Sequence, residues 1–334
     1  MKILLGHTFE DIISHDNLIE AWLEFECGKR NKWDVRAFRD HLFENINALH
    51  EELLSGEYMH GAYTRFYIND PKSREIHKAQ VRDRVVHHAL HRILYPFFET
   101  KFIADSFSAR VGKGTHSAMD RFTSYSCKVS RNNTRTCYVL KCDIRKFFAS
   151  IDHAVLYCIL EDYIPDRKIL WLLSRIIGSF KSSSDKGLPL GNLTSQLFAN
   201  IYMNLFDQYI KHDMRVPHYI RYADDFVLLS QDRSILERTI DPIQDFLSDK
   251  LKLSLHPNKV SIRTIASGVD YLGWVHFADH HVLRATTRRR MFKKLSHDSN
   301  EATLQSYLGL LSHGNTHKIR TSILNDHWLL DETG

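Results

Sequence analysis

The stretch Tyr219-Ile220-Arg221-Tyr222-Ala223-Asp224-Asp225-Phe226-Val227-Leu228-Leu229 constrains this chain more than any other. Strand-forming residues run up to two adjacent aspartates and lead away from them, the pattern of a tight β-hairpin. Gly or Asn ordinarily fills such a turn. Here two acids fill it, with no cation adjacent in the sequence. Carboxylates held that close repel unless a bound cation offsets them. An isolated Asp-Asp pair is most often a solvated acidic turn, yet a solvated turn needs no apolar strand on either side. A third acid upstream decides between the two readings.

That acid is Asp143. Tyr138-Val139-Leu140-Lys141-Cys142-Asp143-Ile144 reads as a strand. Period two puts Lys141 and Asp143 on one face and Leu140, Cys142 and Ile144 on the other. If this strand neighbours the hairpin, Asp143, Asp224 and Asp225 meet at one sheet edge. Hard anionic oxygens of that kind bind Mg2+, which keeps positions open for water and phosphate. Two such ions about 4 Å apart activate an attacking hydroxyl and stabilise a leaving pyrophosphate. The three acids point to phosphoryl transfer.

The rest of the chain supplies polyanion contacts. Residues 8–56 read as helices stopping at Gly56, and 62–68 as a strand. Pro71-Lys72-Ser73-Arg74 is a basic turn, followed by a helix carrying Arg82, Arg84 and Arg92 opposite Val81, Val85, Leu90, Ile93 and Leu94. That arrangement suits phosphate contact. His87 and His91 could share a metal on one helix face, though no third ligand sits nearby. Glycines around Lys113, with Arg110 close by, let a backbone approach phosphate. The spacing is not that of a P-loop, so ATP hydrolysis is unsupported. Leu188 to Gln196 is a shaped loop opening a helix. After the hairpin come a helix over 235–251, a short strand with Leu253 and Leu255, and a second hairpin pattern over 260–277. From Arg284 to Lys294 six basic residues, Arg288, Arg289 and Arg290 among them, occur without an acid.

Composition narrows the class. The 334 residues are 43% hydrophobic and 25% charged, with a net charge of +5, which suits a globular protein with a polyanionic partner. The five cysteines are odd in number and include no CxxC, so neither a disulfide framework nor a zinc ribbon is expected. A reducing, cytoplasmic setting is expected. No apolar run reaches membrane-spanning length, so no membrane partner is expected.

With these motifs in order, the chain resembles a reverse transcriptase. Tyr222-Ala223-Asp224-Asp225 matches that family's catalytic hairpin, and Asp143 its upstream metal ligand. The resemblance implies an α+β right-hand polymerase of fingers, palm and thumb, with an antiparallel palm sheet packed on helices and a helical N-terminal extension. The expected divisions are 1–61 for the extension, 62–136 for the fingers, 137–280 for the palm and 281–334 for a thumb-like basic segment. It implies two Mg2+ ions held by Asp143, Ile144, Asp224 and Asp225, and a palm lysine at Lys259 that protonates pyrophosphate. Lys72, Arg74, Leu190 and Gly191 fall where the family binds the incoming nucleotide. Phe148 falls where a ring excludes a ribose 2′-hydroxyl. Tyr271-Leu272-Gly273-Trp274 resembles the primer grip. Arg82, Arg84, Arg110, Lys113, Arg288, Arg289 and Arg290 become candidate nucleic-acid contacts. Implied partners are an RNA template, a primer or cDNA, and dNTPs. A structured non-coding RNA, a small accessory protein or a second subunit would join them.

Within the family the chain resembles bacterial and phage enzymes related to group II intron reverse transcriptases. Those carry Gln-Gly and Ser-Pro in the pocket motif, where this chain has Leu190-Gly191 and Ser195-Gln196. Leu190-Gly191-Asn192-Leu193-Thr194-Ser195-Gln196 resembles the enzymes of diversity-generating retroelements, and some phage-defence reverse transcriptases are similar there. The length after the thumb leaves no room for a maturase or endonuclease domain, so intron mobility is not expected. An RNA-dependent RNA polymerase shares this metal chemistry, but Phe148 argues against it. A catalytically silent nucleic-acid-binding protein remains the reading from another class.

Overall fold

In a computed structural model, residues 3–69, 73–183, 185–297 and 300–331 are described, so Lys72 lies outside the described residues. Four helices come first: α1 (Phe9–Ile13), α2 (His15–Glu26), α3 (Trp33–Arg39) and α4 (Leu42–Ser55). Thr8 opens α1 with a capping box to Asp11, and Gly56 closes α4 at φ 77°. Their apolar faces, with Leu18, Trp22 and Phe25 buried, share a core with Val85, Val86 and Leu90 of α5 (Val81–Glu99). The extension is thus continuous with the body of the molecule.

Between α4 and α5 lies a two-stranded hairpin, β1 (Thr64–Ile68) and β2 (Arg74–Lys78). All five β1 residues are exposed, so this hairpin has little core of its own. Helix α6 (Thr115–Val129) leads into β3 (Tyr138–Asp143). Four helices follow: α7 (Phe147–Ser150), α8 (His153–Glu161), α9 (Arg167–Gly178) and α10 (Leu193–Gln208). The Asp-Asp hairpin is β4 (Tyr219–Tyr222) and β5 (Asp225–Ser230), and α11 (Arg233–Leu251) and β6 (Ser261–Thr264) complete the unit.

The four strands form one antiparallel sheet in the order β4-β5-β3-β6. Leu140, Cys142, Phe226 and Leu228 bury one face against the core shared with α8, α10 and α11. Val139, Val227 and Leu229 line the other face with Phe122 of α6. Alternation along β3 is what makes both faces usable, and it leaves Lys141 and Asp143 only half-buried.

Two expectations are corrected here. Residues 260–277 are not one hairpin: β6 pairs with β3, while β7 (Val269–Tyr271), β8 (Trp274–His276) and β9 (His281–Leu283) make a separate sheet. Apolar Ile262 packs against the main core, with β6 at the edge of the four-stranded sheet. Leu253 and Leu255 form no strand; Leu255 makes a single bridge to Ile144. The chain ends in α12 (Ala285–His297), α13 (Glu301–Leu311) and α14 (His317–Asp331). Met291, Leu304, Leu311 and Ile323 close around Trp274 as a third core. Mixed helices and antiparallel strands in this arrangement define a right-hand polymerase fold.

Candidate active site

Strand register brings the acids together. Asp143 stands directly opposite Asp225, and the next β4–β5 pair is Tyr222 with Asp225. The turn is therefore Ala223-Asp224, with Ala223 in the left-handed region at φ 55°. Asp225 is the first residue of β5 and not a turn residue, because its backbone is committed to the ladder. The Ile144 N–H donates to the Asp224 carbonyl at 3.1 Å, closing the site from β3. Ile144 has a buried hydrocarbon side chain without a donor atom, which leaves its carbonyl as the candidate ligand.

The acids have no cation adjacent in the sequence, but the fold brings two lysines to them. Lys259 Nζ donates to both oxygens of Asp143 at 2.9 Å. Lys141 Nζ lies 3.2 Å from Asp225 Oδ2 and donates to the Asp270 carbonyl at 2.7 Å. Burial, more than the neighbouring carboxylates, pushes Asp225 up to about 6, and Lys141 opposes the rise. Asp224 is raised by burial first and by Asp143 second, with Lys259 and Arg74 acting against it. Asp225 Oδ1 is buried without a hydrogen-bond partner. Among the described residues no three side chains of His, Cys, Asp or Glu stand together as a ready metal cage. The donor set fits Mg2+ nonetheless: three carboxylates on adjoining backbone positions, two held above their ordinary pKa mainly by burial, and one orphaned oxygen.

A buried ion pair supports the turn from below. Arg221 bonds Asp207 through Nε and Nη2 at 2.7 and 2.6 Å, and its Nη1 donates to the Ala223 carbonyl at 3.2 Å. Both side chains are essentially inaccessible. Sequence reasoning passed over Arg221 and Asp207, although an arginine inside an apolar strand needs an acid from elsewhere.

The nucleotide-binding candidates Phe148, Leu190 and Gly191 lie on or against one loop, which borders β2. Phe148 sits half-buried in α7, its ring edge-on to the buried Phe147 with centroids 5.3 Å apart. Its carbonyl accepts from the Leu188 N–H at 2.8 Å. The Leu190 carbonyl accepts from the His77 N–H at 3.0 Å. Gly191 is required: φ is +105°, and a Cβ would stand 2.7 Å from Ile76 Cγ2. Exposed Arg74 stands on β2, near enough to influence Asp224.

In the candidate primer-grip segment, Tyr271 pairs with Trp274, and Leu272 and Gly273 have φ 51° and 88°. That is the paired left-handed turn favoured in two-residue hairpins. Tyr271 and Trp274 are buried. A cavity of about 590 Å³ opens beside it, lined by Lys141, Asp143, Asp225, Lys259, Arg263 and Arg284.

The basic candidates divide. Arg288 and Arg289 are exposed on α12 and share a groove with Lys318 of α14. Arg290 is half-buried on the same helix. Lys113 lies over the Phe107 ring and donates to the Ala104 carbonyl at 2.6 Å. Arg110 is corrected: its side chain is 4% exposed, its Nε binds Glu99 at 2.9 Å, and its Nη1 donates to the carbonyls of Ile103 and Ser106. Its donors are engaged by residues 99–106. Arg82 pairs with Glu52, and Arg84 with Asp34 at 3.0 Å, so α5 meets the extension through these charges. His87 faces His60 at 3.2 Å, whereas His91 stacks on Tyr95, so the two do not share a metal.

Residues 69–276 match the family described as Reverse transcriptase (RNA-dependent DNA polymerase), and the chain belongs to that family. Its enzymatic class is RNA-directed DNA polymerase. Among curated relatives, Protein YkfC of Escherichia coli (strain K12) is 26% identical over 287 residues, covering 73% of this chain and 72% of that protein. Group II intron-encoded protein LtrA of Lactococcus lactis subsp. cremoris is 22% identical over 321 residues, covering 75% of this chain and 52% of LtrA. The chain thus spans about half the length of LtrA. A solved structure of apo telomerase from Candida Tropicalis, truncated from its C-terminal domain, has a TM-score of 0.51 at 13% identity, covering 68% of this chain and 55% of that one. That likeness is one of fold. Among the described residues no helix is long and apolar enough to cross a membrane.

Proposed function

We propose that this chain copies an RNA template into cDNA by nucleotidyl transfer from dNTPs at the Asp143–Asp224–Asp225 edge. The observation that carries the reading is the register that sets Asp143 opposite Asp225, with Asp224 in the adjoining turn. Asp143, Asp224, Asp225 and the Ile144 carbonyl would hold two magnesium ions. When bound, such ions activate the primer 3′-hydroxyl and neutralise the departing pyrophosphate. Lys259, whose Nζ lies 2.9 Å from Asp143, would protonate the leaving group. Arg74 would orient the triphosphate through charge-assisted hydrogen bonds, a role Lys72 would share. Phe148 would exclude a 2′-hydroxyl. The 271–274 hairpin would hold the primer end, and Arg288 and Arg289 the duplex backbone. The boundaries 1–61, 62–136, 137–280 and 281–334 are retained as the proposed extension, fingers, palm and thumb.

The test is extension of a primer on a defined RNA with dNTPs, beside Asp224→Asn. Synthesis by the wild type and loss in the variant support the reading. Equal synthesis by both would defeat it.

For biological role we favour error-prone diversification over phage defence, and the support is Leu190. Leucine has no donor or acceptor to hold a base pair in register, where relatives have glutamine. Losing one hydrogen bond of about 0.5–1.5 kcal/mol lowers discrimination by up to roughly tenfold when that bond favours the correct pair. Sequencing cDNA made by wild type and Leu190→Gln tests this. Fewer misincorporations are expected in the variant; equal error spectra leave the defence reading ahead. A small accessory protein and a structured template RNA are the partners such a role requires.

A further inference from the structure

The fingers hairpin and the pocket loop are far apart in sequence and joined in space at one residue. In β2, the N–H and the carbonyl of His77 both point away from β1. The N–H donates to the Leu190 carbonyl at 3.0 Å. The carbonyl accepts from Asn192 Nδ2 at 2.9 Å. The pocket loop thus adds to the outer edge of β2 through a main-chain bond and a side-chain bond two residues apart. Gly191 between them leaves no room for a Cβ beside Ile76. On its other side the same loop is held to the sugar-excluding residue by Leu188 N–H to Phe148 carbonyl at 2.8 Å.

Asn192 is 3% exposed, and its Oδ1 is buried with no partner. A buried amide with an unsatisfied acceptor costs free energy that leucine would not. What the side chain does make is the bond to His77. The hairpin that receives it has β1 wholly exposed, with Tyr67 at 65%. Tyr63 OH to Ser179 Oγ at 2.7 Å and Lys78 to Asp34 at 2.6 Å fix its root. Arg74 sits at the other end of β2.

We infer that Asn192 is a positioning residue for the incoming nucleotide: it clasps the β1–β2 hairpin to the pocket loop, so that Arg74 and Leu190 act as one surface. It does not touch the nucleotide. This rests on the polymerase reading above. Because Phe148 is tied to the loop independently, the clasp governs triphosphate affinity and leaves sugar choice alone.

The experiment compares wild type, Asn192→Leu and Phe148→Ala on a primed RNA template, with hydrogen exchange of residues 74–78 followed in the protein without nucleotide or metal. For Asn192→Leu, loss of one hydrogen bond should raise KM for dNTP about three- to tenfold, with kcat changed by less than about threefold. The dNTP to rNTP preference should stay within about twofold of wild type while Phe148→Ala loses it. The 74–78 amides should exchange faster. Unchanged KM and unchanged exchange would overturn the clasp. So would a joint fall of kcat and thermal stability without a KM effect, which is the mark of a purely structural side chain. If Asn192→Leu does not fold, Asn192→Ser, which shortens the side chain and stays polar, carries the same comparison. Should the wild type extend no primer at all, the polymerase reading fails by itself, and the exchange arm still decides whether Asn192 holds the hairpin.

Discussion

Lys141 Nζ lies 3.2 Å from Asp225 Oδ2. The ammonium comes from the same β3 face as Asp143, two residues earlier in the chain, and it is the nearest compensation for an aspartate that burial has driven up to about 6. Lys141→Met should therefore destabilise the metal-free protein at pH 8, by about 1–3 kcal/mol for a half-buried pair. Saturating Mg2+ should narrow the gap to wild type, because a bound cation replaces the lost charge and stabilises by mass action. Thermal melts with and without Mg2+ check this. A gap indifferent to Mg2+ would show that Lys141 is no counterion.

Asp225→Asn keeps the shape of the side chain and removes the charge. Primer extension should fall by about three orders of magnitude or more, since electrostatic preorganisation dominates such sites. The metal-free melting temperature should hold or rise, because an aspartate raised by burial opposes folding when ionised. A melt lowered together with activity would place Asp225 in the core and not in the site.

Phe148 is half-buried, with Phe147 below it carrying the packing. Phe148→Val should leave the fold intact, costing under about 2 kcal/mol. It should admit ribonucleotides. Competition of dNTP against rNTP measures the change, and an unaltered ratio of kcat/KM values would make Phe148 a packing residue only.

Arg288 and Arg289 are exposed on α12. Replacing both by Gln should weaken template–primer binding evenly across sequences and reduce the salt slope by roughly one to two phosphate equivalents. Titrations over a range of salt read this directly. An unchanged slope would assign the pair to solvent.

His276 is 2% exposed beside the 271–274 hairpin, near Tyr271, Phe122 and His281. Burial first, then His281, holds it down from 6.5 to about 4. The unfolded chain takes this proton near pH 6.5 and the folded chain only near pH 4. Stability from this group is full above pH 6.5 and is lost as pH falls toward 4, up to about 3 kcal/mol in all. His276→Gln should show a smaller drop in melting temperature between pH 7 and pH 5 than wild type.

Much of the site was legible before any fold was known. Asp143, Asp224 and Asp225 stand out because acids do not belong in apolar strands without a ligand, and two-residue periodicity put Lys141 on the face of Asp143. A helix stop such as Gly56 follows from local sterics that need only neighbouring residues. Tertiary structure alone decided the rest. Asp225 rather than Asp224 faces Asp143 because ladder register is set by pairing across some eighty residues. Lys259 reaches Asp143, and Arg110 turns to Glu99, because each charge finds its partner only once the chain is compact. The pairing of β6 with β3 and the meeting of Asn192 with His77 have the same cause: the hydrogen-bonding edge of a strand accepts whichever segment packing brings to it, and no local pattern says which segment that is.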